Sequence, residues 1–308
     1  MGAGRVFGSA VCSAAMVEAH ASAQMASNRM CKFDFVDKLK PFVKESYFDR
    51  GDLIHKMLAH HYNLVKANHH GGNRNPTPYE NIIQSVATEG ENYSTTLDLA
   101  AEECIRAIEV YKEYAEYYRG ENWIPTHVEH PFSVKLHEDE DLTILWEGKV
   151  DLVVQHGIVD TKSSLRRGEP RSLDDQFIGY CFAMNQNNLI VNKVGFQASL
   201  KAEAKFERYT KSYPKALIEE WRQHVVRTVK NRMLEDIKAA KPGELSGSMY
   251  EDYRYTSCEK WGCRYYEVCG TEPELREWKI RQLYKIGEPW QPAQKLEQPN
   301  KPEEMIQA

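Results

Sequence analysis

One stretch of the sequence, EGKVDLVVQHGIVDTKSS at residues 147–164, constrains the fold more than any other. Its short apolar runs are separated by His156 and Gly157, a pattern that predicts two β-strands joined by a tight turn. Because side chains alternate across a strand, Asp160 and Lys162 point to the same side of the second strand. The stretch therefore predicts a sheet that carries a carboxylate and an ammonium group side by side.

Asp151 lies in the first predicted strand and adds a second carboxylate to this pair. The positions around these charged groups form an apolar wall of Val150, Leu152, Val153, Ile158 and Val159. Charged groups in such surroundings are costly unless they are compensated, and a cation bound by both carboxylates would offset that cost. Oxygen ligands without a thiolate favour Mg²⁺ or Mn²⁺.

A hard divalent cation supports one class of reaction particularly well. It lowers the pKa of a bound water and neutralises the charge that develops on a phosphodiester during hydrolysis. Lys162 would then position or deprotonate the water, or stabilise the developing negative charge. The combination of residue types therefore indicates phosphodiester hydrolysis.

Hydrophobic periodicity along the chain predicts one α/β domain with helices packed on a mixed sheet. A helical pattern follows Gly51, and a second, long helix is predicted over residues 95–118. Strands come next, then a helix over residues 173–184, two more strands, and a helix from Pro214 to about Lys238. The adjacent histidines at positions 60–61 and 69–70 are expected to be solvated rather than metal ligands.

Charge is distributed unevenly, although the formal net charge is only −5. Residues 89–160 contain 17 acidic and 5 basic side chains, a net charge of −12. Residues 162–241 contain 16 basic and 9 acidic side chains, a net charge of +7. Such asymmetry allows one face to hold an anionic ligand. Because they directly follow the second strand, three arginines are expected to hold phosphates near the metal: Arg166, Arg167 and Arg171.

Three of the seven cysteines, Cys258, Cys263 and Cys269, lie within twelve residues of one another. Without a convincing export signal, such a cluster suggests a metal centre before a disulfide. The thiols suit Zn²⁺, with a histidine or Cys31 as the fourth ligand, and they also suit an iron–sulfur cluster. Either centre would pin the C-terminal segment against an N-terminal helix.

The ordered motifs resemble those of a known nuclease superfamily. Asp151 followed by Asp160-Thr161-Lys162 resembles the PD-(D/E)XK signature. Gly51-x-x-x-His55 resembles the first motif of the RecB-like exonuclease branch of that superfamily. Gln176-Phe177-Ile178-Gly179-Tyr180 resembles the Q-x-x-x-Y motif on the helix that follows the catalytic strands.

The cysteines extend this resemblance to the end of the domain. Cys258-x4-Cys263-x5-Cys269 resembles the C-terminal motif of the same branch, in which three late cysteines and one early cysteine hold a 4Fe-4S cluster. Cys31 is the matching early cysteine. The first gap, of four residues, is longer than the two residues found in many relatives. The resemblance therefore favours iron–sulfur, with Zn²⁺ as the alternative.

This resemblance implies a fold and a set of residue roles. The expected fold is a restriction-endonuclease-like core, a mixed central sheet flanked by helices, with the cysteine cluster closing onto an N-terminal helix. Lys162 would be catalytic, together with the carboxylates of Asp151 and Asp160. Gln176 and Tyr180 lie one helical turn apart and would organise the site or contact DNA. The implied metal ligands are His55, Asp151, Asp160 and the carbonyl of Thr161.

The function implied is that of a Mg²⁺- or Mn²⁺-dependent DNA exonuclease acting on single-stranded DNA or free ends. Phage or bacterial DNA replication, recombination or repair would be its setting. The sequence has no helicase-like G-x4-G-K-[ST] motif, so the enzyme would act alone or as a subunit of a recombination, replication or adaptation complex. Two alternatives remain open: a non-catalytic DNA-binding or assembly module of the same fold, and a structure-specific endonuclease.

The remaining expectations concern domain limits and location. Residues 1–29 are expected to be a flexible extension or a vector-derived remnant, and residues 30–286 a single RecB-like nuclease domain with its cysteine cluster at 258–269. Residues 287–308, rich in Pro, Gln and Glu, are expected to form a disordered tail. The sequence has no run of eighteen apolar residues, so no membrane partner is expected and the predicted location is the cytoplasm.

Overall fold

A mixed six-stranded sheet, flanked by helices, forms the centre of the protein. The structure, a computed structural model, describes residues 8–12, 38–42, 46–70, 76–96, 100–140, 142–164, 169, 173–233 and 265–287. The strands are β1 (Gly8–Cys12), β2 (Leu39–Pro41), β3 (Pro125–Glu138), β4 (Leu142–Val154), β5 (Gly157–Ser164), β6 (Asn188–Gly195), β7 (Phe206–Ser212) and β8 (Tyr284–Ile286).

Eight α-helices are present within the described ranges. They are α1 (Ser46–His70), α2 (Tyr79–Thr96), α3 (Ala101–Tyr117), α4 (Asp175–Ala183), α5 (Ala202–Lys205), α6 (Lys215–Thr228), α7 (Tyr266–Gly270) and α8 (Arg276–Leu283). A π-helical turn, Val229–Met233, continues α6, and a 3₁₀ turn, Pro273–Leu275, precedes α8. None of these helices combines the length and hydropathy needed to cross a bilayer.

Strand pairing confirms the predicted mixed α/β fold. The order in the sheet is β1-β4-β5-β6-β7, and β3 pairs along the opposite edge of β4. β4 and β5 form an antiparallel hairpin, whereas β5 and β6 run parallel, with Thr161 opposite Asn192. The helix between β5 and β6 is α4, which provides the crossover that a parallel pair requires.

Two clusters of buried side chains hold the helices on the sheet. The first joins α1, α2 and α3 to the sheet through Leu152, Val159 and Val194. The second joins α4 and α6 to the sheet through Ile144, Trp146 and Val191. The two strands of the β4–β5 hairpin contribute to both clusters, so their positions are fixed from two directions.

The structure differs from the prediction in the bounds of two helices and in the burial of one histidine. α1 begins at Ser46, before the predicted start at Gly51, and continues through His70. The helix predicted over residues 95–118 is present as α3 but begins later, at Ala101, and a separate helix, α2, ends at Thr96. The expectation that residues 60–61 are solvated is wrong for His61, which is 2% exposed.

Part of the N-terminal segment belongs to the sheet. β1 runs parallel to β4, with Gly8 opposite Leu142 and Cys12 opposite Trp146. Residues 8–12, which precede the expected nuclease domain of residues 30–286, are therefore paired with the central sheet through their backbone.

The C-terminal segment packs on a strand, not on the predicted N-terminal helix. β8 pairs antiparallel with β2, and the hydroxyl of Tyr265 donates a hydrogen bond to the carbonyl oxygen of Leu39 at 2.9 Å. A small buried cluster fixes this contact; its members are Leu39, Tyr265, Val268, Cys269 and Tyr284. The C-terminal segment is thus joined to β2 by backbone pairing and by a shared core.

Candidate active site

The β4–β5 hairpin brings Asp151 and Thr161 together. The backbone N–H of Thr161 donates a hydrogen bond to Oδ2 of Asp151 at 2.7 Å. The side chain of Asp151 is 20% exposed. The carboxylate is therefore held by the backbone of the neighbouring strand while it remains accessible from solvent.

Asp160 and Lys162 lie side by side on β5, as the alternation of side chains predicts. Nζ of Lys162 lies 3.1 Å from Oδ2 and 3.4 Å from Oδ1 of Asp160. The Asp160 side chain is 3% exposed and that of Lys162 is 40% exposed. Nζ also lies 5.6 Å from the centre of the Phe177 ring, within cation–π range. A buried carboxylate thus holds an ammonium group that reaches solvent.

α4 adds two polar groups to this pair. Oε1 of Gln176 accepts a hydrogen bond from Nζ of Lys162 at 2.5 Å, and Nε2 of Gln176 donates to the hydroxyl of Tyr180 at 2.8 Å. The side chain of Asp174 caps α4 by accepting a hydrogen bond from the backbone N–H of Gln176 at 3.0 Å. A continuous polar chain therefore runs from Asp160 to Tyr180.

A glycine sets the distance between α4 and the sheet. A Cβ atom added at Gly179 would lie 2.5 to 2.7 Å from atoms of the Trp146 indole. Trp146 is 1% exposed and packs edge-on against Trp221, with ring centres 5.0 Å apart. The indole has little room to move, so α4 approaches closely only because residue 179 is glycine.

Another glycine allows α1 to cross β5. A Cβ atom added at Gly51 would lie 2.9 Å from Oγ of Ser163. One helical turn later, Nδ1 of His55 lies 3.5 Å from Oδ2 of Asp151. The G-x-x-x-H spacing thus has a physical basis: the glycine permits a close crossing, and the histidine on the same helix face reaches the carboxylate.

Burial and neighbouring charges set the pKa values of these groups. Burial raises the pKa of Asp160 to about 6, with Lys162 opposing the shift and Asp151 adding to it. Burial alone would raise the pKa of Asp151, but His55, the Thr161 N–H and Lys162 together lower it. Burial works against the charged forms of His55 and Lys162, yet the two carboxylates raise the pKa of both.

The oxygen donors of the site suit a hard divalent cation. Oδ2 of Asp160 is buried, and among the described residues its polar contact is the ion pair with Nζ of Lys162 at 3.1 Å, without a well-aligned hydrogen bond. Carboxylate oxygens are the ligands that Mg²⁺ and Mn²⁺ prefer. Within the described ranges, no three His, Cys, Asp or Glu side chains already share a ligand geometry. His55 faces Asp151, whereas Asp160 faces Lys162.

Sequence reasoning misses a buried polar network behind β5. Asn192, which is fully buried, donates from Nδ2 to Oγ1 of Thr161 at 3.3 Å. Its Oδ1 accepts hydrogen bonds from the Tyr114 hydroxyl at 3.2 Å and from Nε of Arg208 at 3.3 Å. The only signal in the sequence is one asparagine within the apolar run LIVNKV. The network holds Thr161 from the side of β5 opposite to Asp160.

Arg208 anchors the far end of this network. Its guanidinium carbon lies 3.5 Å from the ring centre of Tyr118 and 3.6 Å from that of Trp123. Nη2 of Arg208 also donates to Glu121 at 2.6 Å. A guanidinium held between two rings and paired with a carboxylate gives the network a rigid end.

Other predicted site residues remain apart from this constellation or lie outside the described ranges. Cys269 is 5% exposed, in the cluster that contains Leu39. Six residues fall outside the ranges that the structure describes: Cys31, Cys258, Cys263, Arg166, Arg167 and Arg171.

Comparison with known proteins identifies the family. One similar solved structure, titled "Crystal structure of SSO0001", shares 12% sequence identity and a TM-score of 0.33, covering 74% of this chain and 96% of that one. No curated protein matches the sequence. The profile of the PD-(D/E)XK nuclease superfamily matches residues 29–270, most of the chain. The chain therefore belongs to the PD-(D/E)XK nuclease superfamily.

Proposed function

We propose that the protein is a Mg²⁺- or Mn²⁺-dependent deoxyribonuclease of the RecB-like type, an exonuclease that acts on single-stranded DNA or free ends. The main support is the meeting of Asp151, Asp160 and Lys162 at one end of the β4–β5 hairpin, with His55 and Gln176 on either side. Superfamily membership supplies the reaction class, and the charged groups supply the means to perform it.

The proposed metal ligands are His55, Asp151, Asp160 and the carbonyl oxygen of Thr161. A cation held there would supply an acidified water and compensation for the negative charge of the transition state. The Thr161 N–H keeps one oxygen of Asp151 in place, and burial keeps Asp160 from turning away. The two strands thus hold both carboxylates in advance, which lowers the cost of reorganisation during the reaction.

Lys162 acts, in this proposal, as a fixed positive charge. Asp160 and Asp151 raise its pKa, so the ammonium keeps its proton at neutral pH. A protonated lysine donates a hydrogen bond to the attacking water or to a phosphoryl oxygen, and it does not remove a proton. Asp160 and Gln176 each accept one N–H of the ammonium, which leaves the third N–H for the reacting groups.

Tyr180 completes the proposed site as an orienting residue. Its hydroxyl accepts a hydrogen bond from Nε2 of Gln176, and this contact fixes which end of the amide faces Lys162. Burial raises the pKa of Tyr180, so the hydroxyl also keeps its proton and can donate to a phosphate oxygen.

We further propose that Cys31, Cys258, Cys263 and Cys269 hold a 4Fe-4S cluster, with Zn²⁺ as the alternative. Cys269 is buried beside Leu39, which follows Cys31 by only eight residues. The early and late cysteines would therefore approach one another from neighbouring segments. A broad visible absorbance band in anaerobically purified protein, absent in Cys269→Ser and retained in Cys104→Ser, is expected. A colourless, zinc-containing preparation would reject the iron assignment.

Activity on defined DNA tests the proposed function. Wild-type protein with Mn²⁺ should degrade end-labelled single-stranded DNA, and Lys162→Ala should lower the rate by about 10³-fold. Equal, negligible degradation by both proteins would favour the non-catalytic DNA-binding or assembly module. Circular single-stranded DNA should resist the enzyme, whereas cleavage of the circle would favour the structure-specific endonuclease.

The proposed setting is DNA replication, recombination or repair in a phage or a bacterium. A cytoplasmic location, and protein partners in a recombination, replication or adaptation complex, belong to the same proposal. Membership of a nuclease superfamily supports the proposal that DNA is the substrate.

A further inference from the structure

A cleft of about 540 Å³ opens beside the His55–Asp151 pair. One wall is a stripe of α1 whose members recur every three or four residues and so share one helix face: Asp52, His55, Lys56, Ala59, His60 and Asn63. At 1.5 Å per residue the stripe is roughly 16 Å long. The cleft therefore begins at the candidate catalytic groups and continues along α1 for about three helical turns.

Tyr93 of α2 lines the cleft opposite this stripe. Nζ of Lys56 lies 5.0 Å from the centre of the Tyr93 ring, so the cleft contains an aromatic face and an ammonium group in contact. A nucleotide contains a flat base, which matches the aromatic face, and an anionic phosphate, which matches the ammonium group. Aromatic side chains stack on bases, and lysines bind phosphates.

The β3–β4 hairpin supplies the third side of the cleft through Lys149 and Glu129. Lys149 is 45% exposed and forms an ion pair with Glu129. Glu129 has a φ of 51°, in the left-handed region, although it lies within β3 near the position opposite Asp151. Lys149, the ion-pair partner of Glu129, is therefore a second cation at the rim of the cleft, near the Asp151 carboxylate.

We propose that the α1–α2 cleft binds single-stranded nucleic acid next to the scissile phosphate, with a base stacked on Tyr93 and a phosphate on Lys56. This inference rests on the proposed function and adds to it the route of the strand. The cleft volume of about 540 Å³ is in the range of small-ligand pockets and suits a nucleotide. Stacking on a tyrosine accepts any base, so the cleft selects for single strands and not for sequence.

Binding without hydrolysis tests the proposal. The probe is a fluorescently labelled oligo(dT) in buffer with EDTA, with affinity read from anisotropy. Tyr93→Ala should weaken binding at least about fivefold, the loss expected for one stacked base, and Tyr93→Phe should stay within about twofold. Tyr117→Ala is the matched control, because Tyr117 is an exposed tyrosine, 42% accessible, and does not line the cleft.

Salt dependence gives an independent measurement of the phosphate contact. Lys56→Met should reduce the slope of log affinity against log salt by about 0.7 for the same oligonucleotide. This slope reports a lost phosphate contact even if the variant is slightly less stable. An unchanged slope would overturn the role of Lys56.

Three results would overturn the cleft as the single-strand site. The first is a wild-type affinity for oligo(dT) in Tyr93→Ala. The second is an equal loss of affinity in Tyr93→Phe and Tyr93→Ala. The third is a Tyr93→Ala variant that loses affinity for a blunt duplex as much as for oligo(dT). The two proposals fail separately. Degradation of DNA with unaltered binding by Tyr93→Ala rejects the cleft alone, and Tyr93-dependent binding without any degradation rejects the nuclease function alone.

Discussion

The backbone N–H of Thr161 holds Oδ2 of Asp151 at 2.7 Å, so one strand of the hairpin positions the carboxylate of the other. This contact needs only a hydrogen-bond acceptor, whereas the proposed metal needs a negative charge. An amide at position 151 separates the two requirements, because it can accept from an N–H but carries no charge.

Asp151→Asn should therefore lose activity and keep the fold. The rate of hydrolysis of end-labelled single-stranded DNA with Mn²⁺ should fall by about 10² to 10³-fold. The free energy of unfolding should change by less than about 2 kcal/mol. Glu109→Gln, the same exchange at an exposed position of α3, is the control and should match wild type. A fully active Asp151→Asn would remove this carboxylate from the proposed site.

Local patterns in the sequence were sufficient to predict the hairpin, the helix after it and the mixed sheet. These elements depend on alternation and periodicity within a few residues of one another, and the turn keeps Asp151 near Thr161. α2, by contrast, is absent from the prediction, which has no helix between the loop around Pro78 and residue 95.

Contacts between distant segments account for the other differences. The hydrogen bond from Asn192 to Thr161 exists only because β6 pairs with β5. His61 is buried only because α3 packs on α1 and brings Tyr111 to it. β1 belongs to the sheet because it pairs with β4, a strand far along the chain. Its short sequence has no clear hydrophobic pattern from which this pairing could be predicted.

Gly179→Ala should destabilise the protein although alanine favours helices. The added methyl group would enter the space of the Trp146 indole, and such overpacking costs about 1 to 3 kcal/mol. The higher helix propensity of alanine stabilises the folded state by at most about 1 kcal/mol. Chemical denaturation should therefore show a net loss, and the nuclease rate should fall because Gln176 moves with α4.

A matched control and a compensating change accompany this variant. Gly120→Ala should leave stability unchanged within about 0.5 kcal/mol, because no atom lies within 4 Å of the added Cβ. Trp146→Phe should cost less in the Gly179→Ala background than in wild type, because the smaller ring leaves room for the methyl group. Independent, additive effects would contradict a direct clash.

Asn192 and Thr161 should be energetically coupled. Asn192→Leu leaves buried partners without an acceptor, which costs about 1 to 3 kcal/mol, and Thr161→Val removes one of the same hydrogen bonds. A double-mutant cycle by urea denaturation should give a coupling energy of at least about 0.5 kcal/mol. A coupling of zero would mean that the 3.3 Å contact contributes nothing.

His61 should make stability depend on pH. Burial lowers the pKa of His61 to about 4, from an ordinary value of 6.5, and its Nδ1 lies 2.9 Å from the Tyr111 hydroxyl. Between these two values the unfolded chain binds the proton and the folded chain does not. The free energy of unfolding is therefore unaffected by His61 above about pH 6.5 and decreases as the pH falls below that value. The decrease levels off near pH 4, where it amounts to about 3 kcal/mol.

Denaturation at a series of pH values measures this effect. The free energy of unfolding of wild type should fall more steeply from pH 7 to pH 4.5 than that of His61→Asn, whose amide oxygen can replace Nδ1 as acceptor. His69→Asn, at an exposed position on the same helix, should follow wild type. Parallel curves for wild type and His61→Asn would contradict a buried neutral imidazole.

The parts of the proposed site come from very different distances along the chain. Asp151 and Thr161 are ten residues apart and meet through a short turn, whereas His55 belongs to a helix roughly a hundred residues earlier. Closing the hairpin costs little chain entropy, and docking α1 costs more. During synthesis, α1 leaves the ribosome well before β4 exists, and Gln176 and Tyr180 emerge last. A nascent or partly unfolded chain therefore lacks the complete set of side chains that the proposed centre requires, and only the finished domain brings them together.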